Sequence, residues 1–370
     1  MRRAFCGLAV LFLVMLLLYS LVYNDLTADR ITMAPKKIEL PSSPVISNLK
    51  KVDVASSSEK TESFTLLQKR PAAELAELVS REKLEGSLYA LSKTIGPRQL
   101  GGSGNLAARR FIVAELQALG FRESAKTLIR QGFNAFGRFT ENIIAVIPTD
   151  ISDAPIVALG AHFDTVSNVE GAVDNASGVA SLLEMARVIR ESGQTFDFEI
   201  RLCFFSAEEN GYLGAYRYLN QLDRVSLMRH AAFINMDMTG HGLNDSEQAL
   251  VVCTKGSPNG SDPAEPNLVS KSAEKAFLIL SLKAHELYSP MNTGKHDIVP
   301  FVAGGIRSAT FSWREIDFSR AADNSYGLAP PTTMHTKEDS FENIDVDSVF
   351  IMTRLIAASF SIVGDYVALK

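Results

Sequence analysis

The stretch PIVALGAHFDT, from Pro155 to Thr165, is a run of apolar residues that ends abruptly on polar side chains. A second run of this kind, FEIRLCFFSAEEN, extends from Phe198 to Asn210. Both runs have the length and the apolar content of buried strands. In open α/β sheets, ligands bind at the loops that follow the carboxyl ends of the strands. The residues that follow these two runs can all bind a metal ion: His162, Asp164, Glu208 and Glu209.

Three more residues extend this pattern. Asp174 precedes an amphipathic segment that predicts a helix, Asp237 follows the apolar run AAFINM, and His335 lies in the loop sequence PTTMHTKEDS. Each is ordinary by itself, since aspartates often cap helices and histidines are common in loops. Together they form a set of imidazole and carboxylate groups, which zinc prefers as ligands. Because two zinc ions about 3.5–4 Å apart can share one carboxylate, the set predicts a hydrolytic site that binds two zinc ions per chain.

Five motifs, in this order, resemble those of the co-catalytic zinc aminopeptidase family, which includes bacterial leucyl aminopeptidases and vacuolar aminopeptidase Y. The resemblance covers the chain from about Leu84 to Ser361. The motifs are HxD at His162–Asp164, GAxDNxSG at Gly171–Gly178, AEExGxxG at Ala207–Gly214, NxDM at Asn235–Met238 and HTxxD at His335–Asp339.

The resemblance implies a role for each site residue. In the family scheme, His162 and Asp237 bind one zinc, Glu209 and His335 bind the other, and Asp174 bridges the two. Glu208 is implied as the general base. Asp164 is implied to orient His162 through the second ring nitrogen, as outer partners of metal-bound histidines do.

Two positions depart from the family pattern. The family often has a tyrosine before the last histidine, and this chain has Met334. The family motif SDHxPF reads HDIVPF at His296–Phe301, with Ile298 in place of the histidine. Neither change removes an implied metal ligand, so both bear on the substrate pocket. His241, His296 and Tyr326 receive no role from the sequence.

The order of predicted elements indicates an α/β fold. Strands and helices alternate, which predicts a mostly parallel central sheet flanked by helices in three α/β/α layers. Asn105 is predicted to cap the helix AARRFIVAELQAL, and a long helix is predicted over residues 267–287. The predicted strands are 125–130, 141–147, 156–160, 198–205, 231–235 and 250–253, and the other main helices are 175–190, 212–222 and 346–363.

The N-terminal part of the chain has a different character. Arg2 and Arg3 precede an apolar run from Ala4 to Val22, which predicts a transmembrane anchor or signal sequence over residues 1–23. An uncleaved anchor is favoured, and the basic residues place the catalytic domain on the extracytoplasmic side of the membrane. Residues 24–70 are rich in serine, proline and lysine and are predicted to be a linker. The catalytic domain then covers residues 71–370.

Composition narrows the function further. The net charge of −5, without a basic patch, argues against a nucleic-acid partner. Cys203 and Cys253 fall in predicted strands and are expected to be buried rather than bridged. The leading hypothesis is a membrane-anchored zinc exopeptidase that removes N-terminal residues from peptides. One alternative is a glutaminyl-cyclase-like acyltransferase with one zinc, and a second is a non-catalytic binding ectodomain. A third is a carboxypeptidase or deacylase, which is expected to contain an additional inserted domain.

Overall fold

The structure is a computed structural model that describes residues 72–243, 247–255, 266–282, 285, 287–292, 296–316 and 328–368. The predicted anchor (residues 1–23) and linker (residues 24–70) lie outside the described residues, as does Tyr326.

The described chain forms one nine-stranded mixed sheet with the order β1-β2-β4-β3-β5-β8-β6-β7, and β9 pairs with β8. The four central strands β4, β3, β5 and β8 run parallel, whereas β2 and β6 pair with this core in the antiparallel direction. The prediction of a mostly parallel sheet therefore holds for the centre and not for the two edges. The strands are β1 Leu128–Ala135, β2 Arg138–Ile147, β3 Ile156–His162, β4 Glu199–Phe205, β5 His230–Met236, β6 Gln248–Lys255, β7 Leu287–Asn292, β8 Arg307–Ile316 and β9 Leu328–Ala329.

Helices cover both faces of the sheet, as the three-layer prediction requires. In β3, Val157 and Leu159 belong to the hydrophobic cluster that includes α3 and α8, whereas Ala158 belongs to the cluster that includes α4 and α7. Burial on both faces explains why β3 is apolar throughout rather than alternating. The helices are α1 Arg81–Tyr89, α2 Ser103–Ala118, α3 Ser177–Glu191, α4 Leu213–Asn220, α5 Arg224–Arg229, α6 Leu268–Ile279, α7 Ile298–Ala303 and α8 Val346–Ala368.

Two predicted features of the secondary structure are wrong. The helix predicted over residues 267–287 ends at Ile279, and Leu287 begins β7 instead. Ser281 adopts a left-handed conformation with φ of 54°, which stops the helix. Asn105 does not cap α2, because it lies inside the helix and donates to Arg98 O (3.2 Å) and Ser206 Oγ (3.3 Å). Both cysteines are buried and form no disulfide, as predicted.

The last helix, α8, is long and apolar enough to cross a membrane. Within the part of the chain that was described, it is the one helix that meets this test, and 78% of its most apolar window is buried against the rest of the fold. Its side chains belong to the main hydrophobic cluster together with those of α1 and α3. Burial in a core explains the apolar composition of α8 without a bilayer.

Candidate metal centre

Three parallel strands deliver the predicted site residues to one edge of the sheet. β3 lies between β4 and β5, and its last residue, His162, is in register with Phe205 at the end of β4. Glu208 and Glu209 follow β4, and Asp237 follows β5 directly. Since the carboxyl ends of parallel strands meet at the same edge, these side chains converge.

The metal-ligand candidates lie within a few ångströms of one another. The Nε2 atom of His162 is 3.2 Å from Asp174 Oδ1 and 3.6 Å from Asp237 Oδ1. On the other side, His335 Nε2 is 3.3 Å from Asp174 Oδ2 and 3.2 Å from Glu209 Oε2. Asp174 therefore stands between two imidazoles, one on each of its oxygens. Such an arrangement suits a carboxylate shared by two cations.

The hydrogen bonding of these carboxylates tests whether a cation fits. Asp174 Oδ1, Glu209 Oε1 and Asp237 Oδ1 are buried and accept no hydrogen bond. Buried carboxylate oxygens without partners are costly, and metal coordination is one way in which proteins satisfy them. The ligating atoms form two groups, each within 4.8 Å: His162, Glu208 and Asp237, and Asp174, Glu209 and His335. The residues of each group thus fit a divalent ion of the kind that binds imidazole and carboxylate.

Asp164 is fully buried and contacts the site through its backbone and its side chain. His162 Nδ1 is 3.2 Å from the backbone O of Asp164 and 3.8 Å from its carboxylate Oδ1. The carboxylate accepts from the backbone N–H groups of Glu208 (3.1 Å) and Glu209 (3.3 Å). Asp164 therefore ties the loop after β4 to the end of β3. Burial raises the pKa of Asp164 to about 6.

The loop that carries Asp174 is held by Asp339, the last residue of the HTxxD motif. Its carboxylate accepts from the backbone N–H groups of Val173 (2.6 Å) and Asp174 (3.1 Å), and its own carbonyl accepts from Gly171 (3.1 Å). His335 and Asp339 belong to the same short loop. Asp339 thereby connects the loop of Asp174 to the loop of His335.

Asn175 holds the same loop to the end of β5. Its Nδ2 donates to Met236 O (2.9 Å), and its Oδ1 accepts from the N–H groups of Gly178 (2.9 Å) and Met238 (3.2 Å). A Cβ atom at Gly178 would lie 2.3 Å from Asn175 Oδ1 and 2.4 Å from Met236 O. A residue without a side chain is therefore needed at Gly178, and the start of α3 packs closely beside Asp237.

Arg98 is a supporting residue that sequence reasoning missed. The guanidinium is fully buried, and desolvation lowers its pKa to about 10. The sequence assigned it no role, because three of its five acceptors, on Phe163, Glu170 and Gly171, are 65, 72 and 73 residues away along the chain. Arg98 donates to the backbone oxygens of Leu91, Gly96, Phe163, Glu170 and Gly171.

The electrostatics of the site favour protonated imidazoles when no cation is bound. Hydrogen bonds to Asp174 and Glu209 raise the pKa of His335 to about 10. Burial lowers the pKa of His162, but Glu208, Asp174 and Asp237 outweigh burial and raise it well above 6.5. Burial also raises the pKa of Glu208 well above 4.5; His162 opposes this rise, and Asp297 adds to it. A bound dication acts in the opposite direction on every one of these groups.

The residues left without a role have different positions. His296 lies against Asp237, with 2.5 Å between Nδ1 and Oδ2. His241 packs beside Trp313 and belongs to neither ligand group. Ile298 packs in the cluster of α4 and α7 on the other face of the sheet, so its substitution leaves the ligand set unchanged. Met334 packs against the main hydrophobic cluster.

Comparison with known proteins identifies the family. The pattern of peptidase family M28 matches residues 142–360. This chain belongs to peptidase family M28. The family predicted from the five motifs is thus confirmed.

Curated relatives of this M28 chain are named as aminopeptidases. It is 32% identical to aminopeptidase YwaD of Bacillus subtilis over 221 residues, which are 60% of this chain and 44% of that protein. It is 28% identical over 273 residues to a probable lipoprotein aminopeptidase, LpqL, of Mycobacterium tuberculosis, which covers 69% of this chain and 53% of the relative. The M28 chain therefore spans about half the length of these curated relatives.

Solved structures share the fold at low sequence identity. A zinc aminopeptidase from Bacillus subtilis aligns with a TM-score of 0.65 and 20% identity, covering 76% of this chain and 94% of that chain. A glutaminyl cyclase from Bacteroides thetaiotaomicron aligns with a TM-score of 0.56 and 20% identity, covering 76% and 97%. At this identity the likeness concerns the α/β fold alone.

Proposed function

We propose that this M28 chain is a zinc-dependent aminopeptidase that hydrolyses N-terminal residues from peptides. The observation that carries the proposal is Asp174 lying between two imidazoles, with a further carboxylate beside each. The names of the curated relatives support the same reaction. Cobalt and manganese ions also bind at carboxylate-rich sites, so this ligand set suits them as well as zinc.

The proposed ligand assignment follows the two halves of the site. His162 and Asp237 would hold one ion, Glu209 and His335 would hold the other, and Asp174 would serve both. Bound zinc ions would polarise the scissile carbonyl and lower the pKa of a water molecule toward about 7. The three carboxylates neutralise most of the charge of the ions. Asp164 fixes His162 and the Glu208–Glu209 backbone in position.

Glu208 is the proposed general base. Its carboxylate accepts a proton from the water that attacks the peptide carbonyl carbon. When the C–N bond breaks, the same carboxyl group donates that proton to the leaving amine. Burial raises the pKa of Glu208, and bound zinc ions would oppose this rise.

The test is Glu208→Gln, which keeps the size of the side chain and removes the base. We expect two zinc ions and normal folding, with kcat lowered at least about a hundredfold and KM little changed. Elemental analysis and steady-state kinetics on aminoacyl substrates measure these quantities. Glu123→Gln, an exposed surface change, is the matched control. Wild-type kcat in Glu208→Gln would remove this residue from the mechanism.

Zinc stoichiometry separates the alternatives. The likeness to glutaminyl cyclase supports a one-zinc acyltransferase as the second candidate. That enzyme would bind one ion tightly, be insensitive to His162→Ala and act on peptides with N-terminal glutamine. Two bound ions without hydrolysis of any peptide would instead indicate a binding ectodomain.

We further propose that residues 1–23 anchor a catalytic domain (residues 71–370) outside the cytoplasm through a linker at 24–70. The support is the apolar run after Arg2 and Arg3, together with a relative named as a lipoprotein. A tag fused after Lys370 should be accessible to protease from the extracytoplasmic side. A tag that is protected there, with an accessible N-terminus, would reverse the orientation.

A further inference from the structure

A buried chain of three side chains lies behind one half of the metal centre. His296 Nδ1 is 2.5 Å from Asp237 Oδ2, and His296 Nε2 is 2.9 Å from Arg314 Nη2. All three residues are at most 5% exposed. They come from three elements: Asp237 follows β5, His296 precedes α7, and Arg314 lies in β8, which pairs with β5 in parallel.

The chemistry of these groups fixes the direction of the hydrogen bonds. A guanidinium can only donate, so the Nε2 atom of His296 must be the acceptor. The ring proton therefore resides on Nδ1, which donates to Asp237 Oδ2. With both ring nitrogens engaged, His296 is not itself available as a metal ligand.

The consequence falls on the other oxygen of Asp237. Oδ2 is occupied by His296, whereas Oδ1 is buried, accepts no hydrogen bond and points toward His162 Nε2 at 3.6 Å. The carboxylate cannot rotate without breaking the bond to His296. One oxygen is thus held ready for a cation, which is how outer partners of metal ligands raise affinity.

We propose that His296 and Arg314 form a positioning relay that sets the zinc affinity of the half-site made by His162 and Asp237. The proposal rests on the proposed function and deepens it by assigning two residues that do not contact the metal. Arg314 selects the tautomer of His296, and His296 orients Asp237. Within the described part of the chain, no hydrogen bond or ion pair joins either residue to Glu209 or His335. The change in zinc affinity should therefore be confined to one ion.

The experiment measures zinc affinity in the metal-free full-length protein by competition with chelators of graded strength. His296→Ala should weaken one of the two ions about 10- to 100-fold and leave the other within about threefold. Arg314→Met should weaken the same ion by about tenfold. His296→Asn keeps an N–H group that can reach Asp237 and should recover most of the loss. His285→Ala, a half-buried histidine outside the site, is the matched control.

A double-mutant cycle decides whether His296 acts through Asp237. If it does, His296→Ala should cause no further loss of zinc affinity in a chain that already carries Asp237→Asn. Equal weakening of both ions, or wild-type affinity in His296→Ala, would overturn the relay. Should His296→Ala fail to fold, Arg314→Met and His296→Asn supply the same comparison.

Failure of the relay and failure of the proposed function give different results. A wild-type protein that binds fewer than two ions contradicts the dinuclear site whatever the variants do. In that case the relay is judged on the ion that Asp237→Asn removes, since His296→Ala must weaken that ion. A wild-type protein with two ions, neither of them sensitive to His296→Ala, contradicts the relay alone.

Discussion

The two halves of the proposed metal centre offer the same kinds of side chain but are built differently. We call His162 and Asp237 the strand-anchored half, because each lies at the carboxyl end of a central strand. Glu209 and His335 form the loop-anchored half. The side chain of His162 is 2% exposed, whereas that of His335 is 43% exposed. His335 also adopts a left-handed backbone conformation, with φ of 61°.

The difference concerns what holds each half in place. The strand-anchored half is fixed by the ladder hydrogen bonds of β3 and β5 and by packing on both sheet faces. The loop that carries His335 is held by a bond within the loop, Met334 N to Pro331 O (2.9 Å), and by bonds to other segments, such as Thr332 N to Glu315 Oε1 in β8 (2.8 Å) and those of Asp339 to the loop of Asp174, but it leaves His335 half-exposed. Segments with few buried contacts open at low cost. The loop-anchored half should therefore be the one that adjusts when an ion or a substrate binds.

Asp174 belongs to neither half, because it contacts both imidazoles. Its substitution should therefore affect both halves. Asp174→Asn should lower the zinc content of both halves and reduce kcat/KM by at least roughly a thousandfold, or about 4 kcal/mol. Elemental analysis and peptide kinetics measure the two effects. Glu209→Gln should affect mainly one ion, and the exposed Asp197→Asn is the control. Retention of one full-affinity ion in Asp174→Asn would contradict a shared carboxylate.

The two histidines should differ in their effect on folding of the metal-free protein. His162→Ala removes a buried partner from among carboxylates and should lower the free energy of unfolding by about 3–5 kcal/mol. His335→Ala removes a half-exposed group and should cost less than about 1 kcal/mol. Urea unfolding of the two metal-free variants measures both values. Equal losses would mean that the halves are equally rigid.

The pH dependence of stability should separate the centre from the rest of the fold. His230 lies at the start of β5, and burial lowers its pKa to about 4. Since the unfolded chain binds that proton more readily, the contribution of His230 is present above about pH 6.5 and is lost as the pH falls toward 4, up to about 3 kcal/mol. His335, with its pKa raised to about 10, behaves oppositely: its contribution is present below about pH 6.5 and is lost as the pH rises.

Urea unfolding of the metal-free protein between pH 4 and 9 measures this contrast. His230→Gln should flatten the acid side of the curve, and His335→Ala should flatten the alkaline side. If His230→Gln changed the alkaline side of the stability curve, or His335→Ala the acid side, the assignment of that histidine to its pH range would be wrong.

The sequence predicted the site better than it predicted the support for the site. His162 ends a buried strand, Asp237 directly follows one and Glu208 comes shortly after another, so local hydrophobicity indicated where they would meet. β7, with the sequence LYSPMN, has no clear periodicity and is not predicted from the sequence; only its first residue, Leu287, falls at the end of the predicted helix. His296 was not assigned because Asp237 and Arg314 are remote in the chain, and three of the five acceptors of Arg98 are remote as well. Only the tertiary fold brings these groups together.

The order of the ligands along the polypeptide has a consequence for biosynthesis. Translation delivers His162, Asp174, Glu209 and Asp237 first, then Arg314 in β8, and His335 only near the end. A nascent chain that stops short of β8 lacks both the neighbour of β5 and the donor to His296. Because a domain generally folds as a unit, such a chain holds four acidic or imidazole groups without the complete pair of proposed half-sites. On the proposed ligand assignment, full zinc affinity would therefore require a chain whose synthesis has been completed through His335.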